Sequence, residues 1–330
     1  MRRLNEEALM RNLSALLIAA TLAVALPAAA QTYPSKPVRI VVVSTPGGSV
    51  DTLARAIAPR LSSKWSQQVL VDNRPGAGGA IAAELVSKAP PDGYTLMMGT
   101  IASLATNVSL YKSLPYDPVK DFAPITLVAT QNLVLLVHPS IPSRSVKELV
   151  ALAKKQPGKL TFASAGNGVG GHLSGELFKM LAQIDILHIP YKGVQPAMMD
   201  VVGGQVTMVF ASIASGMAQV ANKRLFPLAV TGAQRSPAAR ELPTMVEAGI
   251  KGYESSTWYG LVAPAGTPSD IVNRLNAEVV AGLKSPDLNE RLTREGADPV
   301  GNSPAEFSKY MQSEIDKWRK VIRAAGIQPS

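Results

Sequence analysis

Ile125-Thr-Leu-Val-Ala-Thr-Gln-Asn-Leu-Val-Leu-Leu-Val137 is almost wholly apolar or extended-favouring, with Thr130-Gln131-Asn132 in its middle. It reads as one strand that leaves one sheet and enters another, and Phe226–Thr231 supplies the return. Two such crossings divide the chain into a discontinuous α/β lobe, 31–128 with 229–330, and an inserted α/β lobe, 129–228. Working outward, further strand-like runs fall at Val38–Val43, Val69–Val71, Tyr94–Met98, Leu160–Ala163, Ile184–Ile189, Val206–Phe210 and Tyr259–Ala263. They alternate with segments of helical periodicity, the pattern of mixed or parallel sheets with helices on both faces. No solenoid period is present.

Helix starts are marked at several points. Ser145-Val-Lys-Glu148 and Ser303-Pro-Ala-Glu306 read as capping boxes, the second with proline at the first helical position, and Thr267-Pro-Ser-Asp270 resembles them. In the last helix Phe307, Met311, Ile315, Trp318 and Ile322 recur on one face, so Trp318 reads as core. Pro59 falls inside the first predicted helix and is expected to kink or shorten it.

Three strand-to-helix junctions are rich in glycine. Ser44-Thr-Pro-Gly-Gly-Ser-Val-Asp51 lies between Val38–Val43 and a segment carrying Leu53, Ile57 and Leu61 four apart. Arg74-Pro-Gly-Ala-Gly-Gly79 follows Val69–Val71, and Ser164-Ala-Gly-Asn-Gly-Val-Gly-Gly171 follows Leu160–Ala163. A buried strand that breaks at glycine and feeds directly into a helix leaves backbone N–H groups, and the positive end of the helix dipole, facing a crevice. Such a crevice suits a carboxylate.

Residues 1–30 have the three-part build of a secretory signal: Arg2, Arg3 and Arg11, a Leu/Ala stretch from Leu13 to Leu26, then Pro27-Ala-Ala-Ala-Gln31. Cleavage is expected after Ala30, giving a periplasmic protein. The apolar stretch is shorter than the roughly 20 residues of a spanning helix, which argues against a permanent anchor. The sequence has no cysteine, which excludes a lipid-anchored lipobox, thiolate chemistry and iron–sulfur clusters. The net charge of +9 becomes +8 once Arg2, Arg3, Arg11, Glu6 and Glu7 are removed. Lys and Arg are dispersed and aromatic residues make up only 5%, so no nucleic-acid platform is evident. The charge reads either as mild steering of small anions or as an ordinary solubilising surface.

Enzyme signatures are weak. Gly166-x-Gly168-x-x-Gly171 matches a dinucleotide fingerprint, but Asp185 precedes Ile186–Ile189 instead of ending it, the wrong end for a ribose contact. Ser109-Leu-Tyr-Lys112 lacks the companion elements of a penicillin-binding nucleophile. His138, His172 and His188 are the only histidines, and no metal-ligand spacing links them. No catalytic residue, cofactor or metal is assigned.

Taken in order, several stretches resemble the receptors of tripartite tricarboxylate transporters, the Bug-type family: Tyr33-Pro-Ser-Lys-Pro-Val-Arg-Ile40, Pro46-Gly-Gly-Ser-Val-Asp51, Val71-Asp-Asn-Arg-Pro-Gly-Ala-Gly-Gly79, Pro91-Asp-Gly-Tyr94, Leu114-Pro-Tyr-Asp-Pro118, Pro157-Gly-Lys-Leu160, His188-Ile-Pro-Tyr-Lys-Gly193, Gly203-Gly-Gln205, Leu228-Ala-Val-Thr231, Pro243-Thr-Met-Val-Glu-Ala-Gly249 and Gly260-Leu-Val-Ala-Pro-Ala-Gly266. The resemblance implies a two-lobed periplasmic binding protein, type II-like, with a cleft between the lobes. It implies capture of a small carboxylate (a di- or tricarboxylate or an aromatic acid) and delivery to a permease of a large and a small membrane subunit. It places Pro46, Gly47, Gly48, Ser49 and Asp51 of one lobe, and Ser164, Ala165, Gly166, Asn167, Gly168 and His172 of the other, against the ligand. Thr45 and Gly78 in glycine-rich junctions, Tyr191 just after a strand, and Ala211 and Ser212 at a strand end are further candidate contacts from the residues themselves. Many relatives carry Phe-Asp-Asn where this chain has Phe210-Ala211-Ser212, which removes a partner for a ligand ammonium. Ser44-Thr45 replaces a commoner aromatic or proline, adding hydroxyl donors or satisfying the local turn.

Several single residues keep two readings. His172 opens a helix, where it is expected to stay neutral and either donate one N–H to the ligand or pack. Lys192 either draws a second carboxylate or is solvated, and Trp258 and Tyr259 are either an aromatic wall or core. His138 and His188 read as structural. A monomer is expected, since the cleft must open and close. Rival functions are a ligand sensor acting on a signalling partner and an exported α/β enzyme.

Overall fold

The computed structural model describes residues 33–191, 193–294 and 296–329. Residues 1–30, read as an expected export signal, and Lys192 lie outside them. A compact unit begins at Lys36. Its strands are β1 (Val38–Val42), β2 (Val69–Asn73), β3 (Thr95–Thr100), β4 (Phe122–Val137), β5 (Thr161–Ser164), β6 (Leu187–Pro190), β7 (Met208–Ser212), β8 (Phe226–Val230), β9 (Ser256–Pro264) and β10 (Asp298–Pro299). The helices are α1 (Ser49–Trp65), α2 (Ala80–Ser87), α3 (Asn107–Leu110), α4 (Val146–Lys155), α5 (Gly170–Ala182), α6 (Val194–Val202), α7 (Ile213–Ala221), α8 (Ser269–Leu283), α9 (Pro286–Arg294) and α10 (Pro304–Ala324).

β4 is one strand that serves two sheets. Phe122 to Asn132 pairs antiparallel with β9, from Pro264 to Ser256. From Leu133 to Val137 the same strand pairs instead with β7 and β8, both antiparallel. The first sheet runs β2-β1-β3-β9-β4 with β10 beside β4, and the second runs β8-β4-β7-β5-β6. β1, β2 and β3 are parallel in the first sheet, as are β7, β5 and β6 in the second. Val38, Ile40, Val41 and Val42 are fully buried because a central parallel strand is covered on both faces. The result is a two-lobed α/β fold.

The change of sheet falls between Asn132 and Leu133, and the returning chain crosses beside it. Leu133 N–H donates to Thr231 Oγ1 at 2.8 Å, and Thr231 N–H donates to the Leu133 carbonyl at 2.9 Å. Gly232 packs there against the Asn132 side chain, which a Cβ would displace, coming within 2.2 Å of Asn132 Oδ1.

Local signals are met unevenly. Ser303 and Glu306 form a complete capping box with Pro304 inside the helix start. All five predicted apolar positions of α10 are buried. Ser145 caps α4, but Glu148 Oε2 accepts from Arg144 N–H instead of closing the box on Ser145. Thr267 is no cap: α8 starts at Ser269, and the Thr267 hydroxyl donates to the Pro264 carbonyl. Pro59 does not end its helix either, because it lies on the exposed side while Leu53, Ile57 and Leu61 hold the opposite face in the core. Among the described residues no helix is long and apolar enough to cross a membrane.

Candidate functional site

The first junction is built by Asp51 acting from inside. β1 ends at Val42, Gly47 takes a left-handed turn (φ 80°), and Gly48 is the cap residue of α1 with no side chain to offer. The Asp51 carboxylate is buried. Its Oδ2 accepts Gly47 N–H at 2.8 Å, and its Oδ1 accepts Arg55 Nε and Asn73 Nδ2, each at 2.9 Å. Burial pushes its pKa up, but the hydrogen bonds from Gly47, Arg55 and Asn73 outweigh it and leave the pKa below the usual carboxylate value. Both oxygens are thus engaged in holding the turn. Asp51→Ala is expected to cost about 2 kcal/mol by stranding these donors. A carboxyl with a lowered folded pKa stabilises above its unfolded pKa and ceases to do so as pH falls through the folded value. In urea unfolding, the wild-type advantage over Asp51→Ala should therefore be full at pH 7 and shrink below about pH 4.

The second junction follows β5. Ser164 Oγ donates to the Gly166 carbonyl at 2.8 Å and meets His188 Nε2 at 2.7 Å. Gly168, at φ 75°, donates its N–H to His172 Nδ1 at 2.9 Å. Val169 is the cap residue of α5 and, like Gly48, supplies no side-chain acceptor. The leading N–H groups of α5, at Gly170 and Gly171, therefore stay available as donors, as do those of α1.

Both junctions open on one cavity of ≈ 230 Å³. Ser49 from α1, Thr257 from β9 and Gly170 and Gly171 from α5 form its polar side, while Leu133, Val209, Phe210 and Ala211 form an apolar wall. The cap of α6, Gly193, also lacks a side-chain bond, and Val194 and Ala197 close the cavity beside it. Among the described residues the lining carries no Lys, Arg, Asp or Glu. A negative ligand would be met by peptide dipoles, not by a countercharge.

Of the predicted residues, Ser49, Ser164, Ala165, Ala211 and Ser212 line this cavity. Gly78, Gly166, Asn167 and Gly168 line, with Ala165, a second cavity of ≈ 310 Å³ beside Asn107 and Leu110. Thr45, Pro46 and Gly47 are exposed, and with Gly48 they lie outside the linings of these two cavities. His172 is buried and its Nδ1 faces the turn, so it packs instead of donating outward. The Tyr191 hydroxyl donates to Asp200 Oδ2 at 2.5 Å, and Tyr191 is not among the lining residues of either cavity. The Ser212 hydroxyl accepts Ser215 N–H and caps α7, so its side chain is already engaged. Trp258 is core, with Nε1 on Glu314 Oε2 at 2.9 Å. Tyr259 is buried and donates to Gln131 Oε1 at 2.7 Å.

Sequence reasoning missed Gln131, Leu133, Val209, Gly170 and Thr257. Gln131 had a signal, a polar residue inside an apolar run. Thr257 had none, being brought to Gly170 only by the fold: a Cβ on Gly170 would lie 2.4 Å from Thr257 Oγ1.

Residues 53–327 match the family described as "Tripartite tricarboxylate transporter family receptor". Protein BugT of Bordetella pertussis is 35% identical over 308 residues, covering 93% of this chain and 94% of that protein. Among solved structures, Rpa4515 of R. palustris, described with adipate, has a TM-score of 0.78 and 40% identity over 90% of this chain and all of that one. MatC of Rhodopseudomonas palustris, with bound malate, has a TM-score of 0.73 and 32% identity, covering 88% of this chain and 100% of its own.

Proposed function

Because this chain belongs to the tripartite tricarboxylate transporter receptor family, we propose that it captures a small organic carboxylate between its lobes and presents it to the membrane subunits of such a transporter. The family is one of solute-binding receptors, not enzymes. The observation that carries the reading is the pair of uncapped helix starts, α1 from the first sheet and α5 from the second, opening on the same cavity. A carboxylate first held by one set of N–H groups gains the second set only when the lobes meet, so the ligand stabilises closure by that difference. Neutral dipoles also permit release, since no buried ion pair has to be broken. We place the lobes at 31–128 with 229–330 and at 129–228, the export signal at 1–30 with cleavage after Ala30, and the working form as a monomer.

The wall of Leu133, Val209, Phe210 and Ala211 favours a ligand with a hydrocarbon body over one bearing an ammonium group, which would lose water there without a carboxylate partner among the described lining residues. Calorimetry and thermal shift on the mature protein test this. Adipate at 100 times its dissociation constant should stabilise the protein by about 2.7 kcal/mol, and its α-amino derivative should bind at least about fivefold more weakly, as one uncompensated polar group costs about 1 kcal/mol or more. Tighter binding of the amino derivative would refute the assigned ligand class. Failure of every mono-, di- and tricarboxylate would refute the receptor reading.

A further inference from the structure

Behind the Ser164–Gly168 turn two imidazoles lie face to face. His172 of α5 and His188 of β6 stack with ring centroids 3.8 Å apart and planes 15° from parallel. Phe162 of β5 extends the stack, 4.8 Å from His188. Each ring holds a different point of the turn. His172 Nδ1 accepts the Gly168 N–H at 2.9 Å, and His188 Nε2 meets Ser164 Oγ at 2.7 Å while the serine proton goes to the Gly166 carbonyl. A backbone N–H cannot bond to a protonated Nδ1, so His172 is neutral with its proton on Nε2, and His188 donates from Nε2.

Two charged groups face the pair. Glu176 Oε1 lies 3.8 Å from His172 Nε2, and Lys179 Nζ lies 3.2 Å from Glu176 Oε2. Burial pushes Glu176 toward its protonated form. Burial likewise depresses His172 to about 3, with His188 and Lys179 adding to it, and His188 to about 4, with Lys179 adding to it.

We propose that His172 and His188 are positioning residues that together hold the glycine turn in its ligand-accepting geometry, and that His172 does so only while its Nδ1 is unprotonated, so that acid loosens the turn and releases the ligand. The inference rests on the receptor reading above. For an imidazole whose pKa is lowered in the ordered turn, the stabilisation is complete above the exposed value near 6.5 and is lost as pH falls from there toward 4 and 3. A rearranged turn that exposes a ring lets it take up a proton near its ordinary pKa, which at pH 5 favours that state by up to about 30-fold per ring. Charging in place is opposed at both rings by burial and Lys179, and at His172 by His188 as well.

The experiment compares adipate affinity at pH 7 and pH 5 for the wild type and for His172→Asn, which keeps an acceptor near the Nδ1 position but does not titrate. Protonation of adipate itself is common to both proteins. Whatever its affinity at pH 7, the variant should lose less on acidification, by about tenfold, within the roughly 30-fold limit set by protonation of the one ring it removes. Nitrogen NMR of the unliganded wild type should show His172 Nδ1 without a proton at pH 7, and hydrogen exchange at the Gly168 amide should accelerate, relative to neighbouring amides, as pH falls below 6.5. Equal pH dependence in the two proteins, or a proton on Nδ1 at pH 7, overturns the proposal. Should adipate fail to bind at pH 7, that result counts against the assigned ligand, and the Nδ1 and Gly168 measurements decide the proposal alone.

Discussion

Valine in place of Gly171 is expected to lower ligand affinity more than about 100-fold while leaving a folded protein, since each lost N–H bond to a charged ligand is worth about 1.5–3 kcal/mol and at least two are at stake. A Cβ at this position would lie 2.8 Å from the Phe210 carbonyl oxygen. That oxygen belongs to β7, where Phe210 is in register with Leu135 of β4, so it cannot retreat without breaking the second sheet. The start of α5 has to withdraw instead, and it takes Gly170 and Gly171 out of the cavity wall. Overpacking of this kind costs about 1–3 kcal/mol of stability, less than a domain's usual margin. Calorimetry with adipate and a thermal melt separate the two effects. Unchanged affinity with a lowered melting temperature would mean that the α5 start is a packing feature and not the anion cradle.

The crossing strand was legible because a strand buried on both faces needs a nearly continuous apolar run, and Thr130-Gln131-Asn132 is the one polar cluster in it. The structure puts the change of sheet at the end of that polar triplet, between Asn132 and Leu133. The glycine junctions were legible for a related reason: a strand that stops at glycine ahead of an amphipathic helix leaves no side chain to cap it. Both Gly48 and Val169 prove to be cap residues without a side-chain bond.

What the sequence hid was the direction in which polar side chains turn. Asp51 is three residues past Gly48 and reads as a ligand contact, but Asn73, 22 positions away at the end of β2, completes a donor set that draws it inward. His172 lies one helical turn from Gly168, so its nearness to the turn was visible and its facing was not. Thr257 was hidden altogether, since its place opposite Gly170 depends on the antiparallel register of β9 on β4. Local chemistry was readable, and partners brought from distant strands were not.

Leucine in place of Glu314 is expected to destabilise the protein by about 3–5 kcal/mol, because two buried indole N–H groups lose their acceptor at about 1–3 kcal/mol each. Glu314 is 4% exposed, and its Oε2 accepts Trp258 Nε1 and Trp318 Nε1, each at 2.9 Å. Lys317 Nζ pairs with the other oxygen. Trp258 belongs to β9 and Trp318 to α10, so one carboxylate ties the last helix to the strand that carries Thr257 into the cavity. Glu314→Gln keeps a carbonyl oxygen for both indoles and removes only the charge facing the partly exposed Lys317, a loss of about 1 kcal/mol. Urea unfolding followed by tryptophan fluorescence should therefore rank the wild type above Gln and Gln well above Leu. The Leu protein should also bind adipate more weakly, since Thr257 is next in sequence to the indole that has lost its anchor. If Gln and Leu destabilise equally, the ion pair with Lys317 and not the shared acceptor is what secures this corner of the fold.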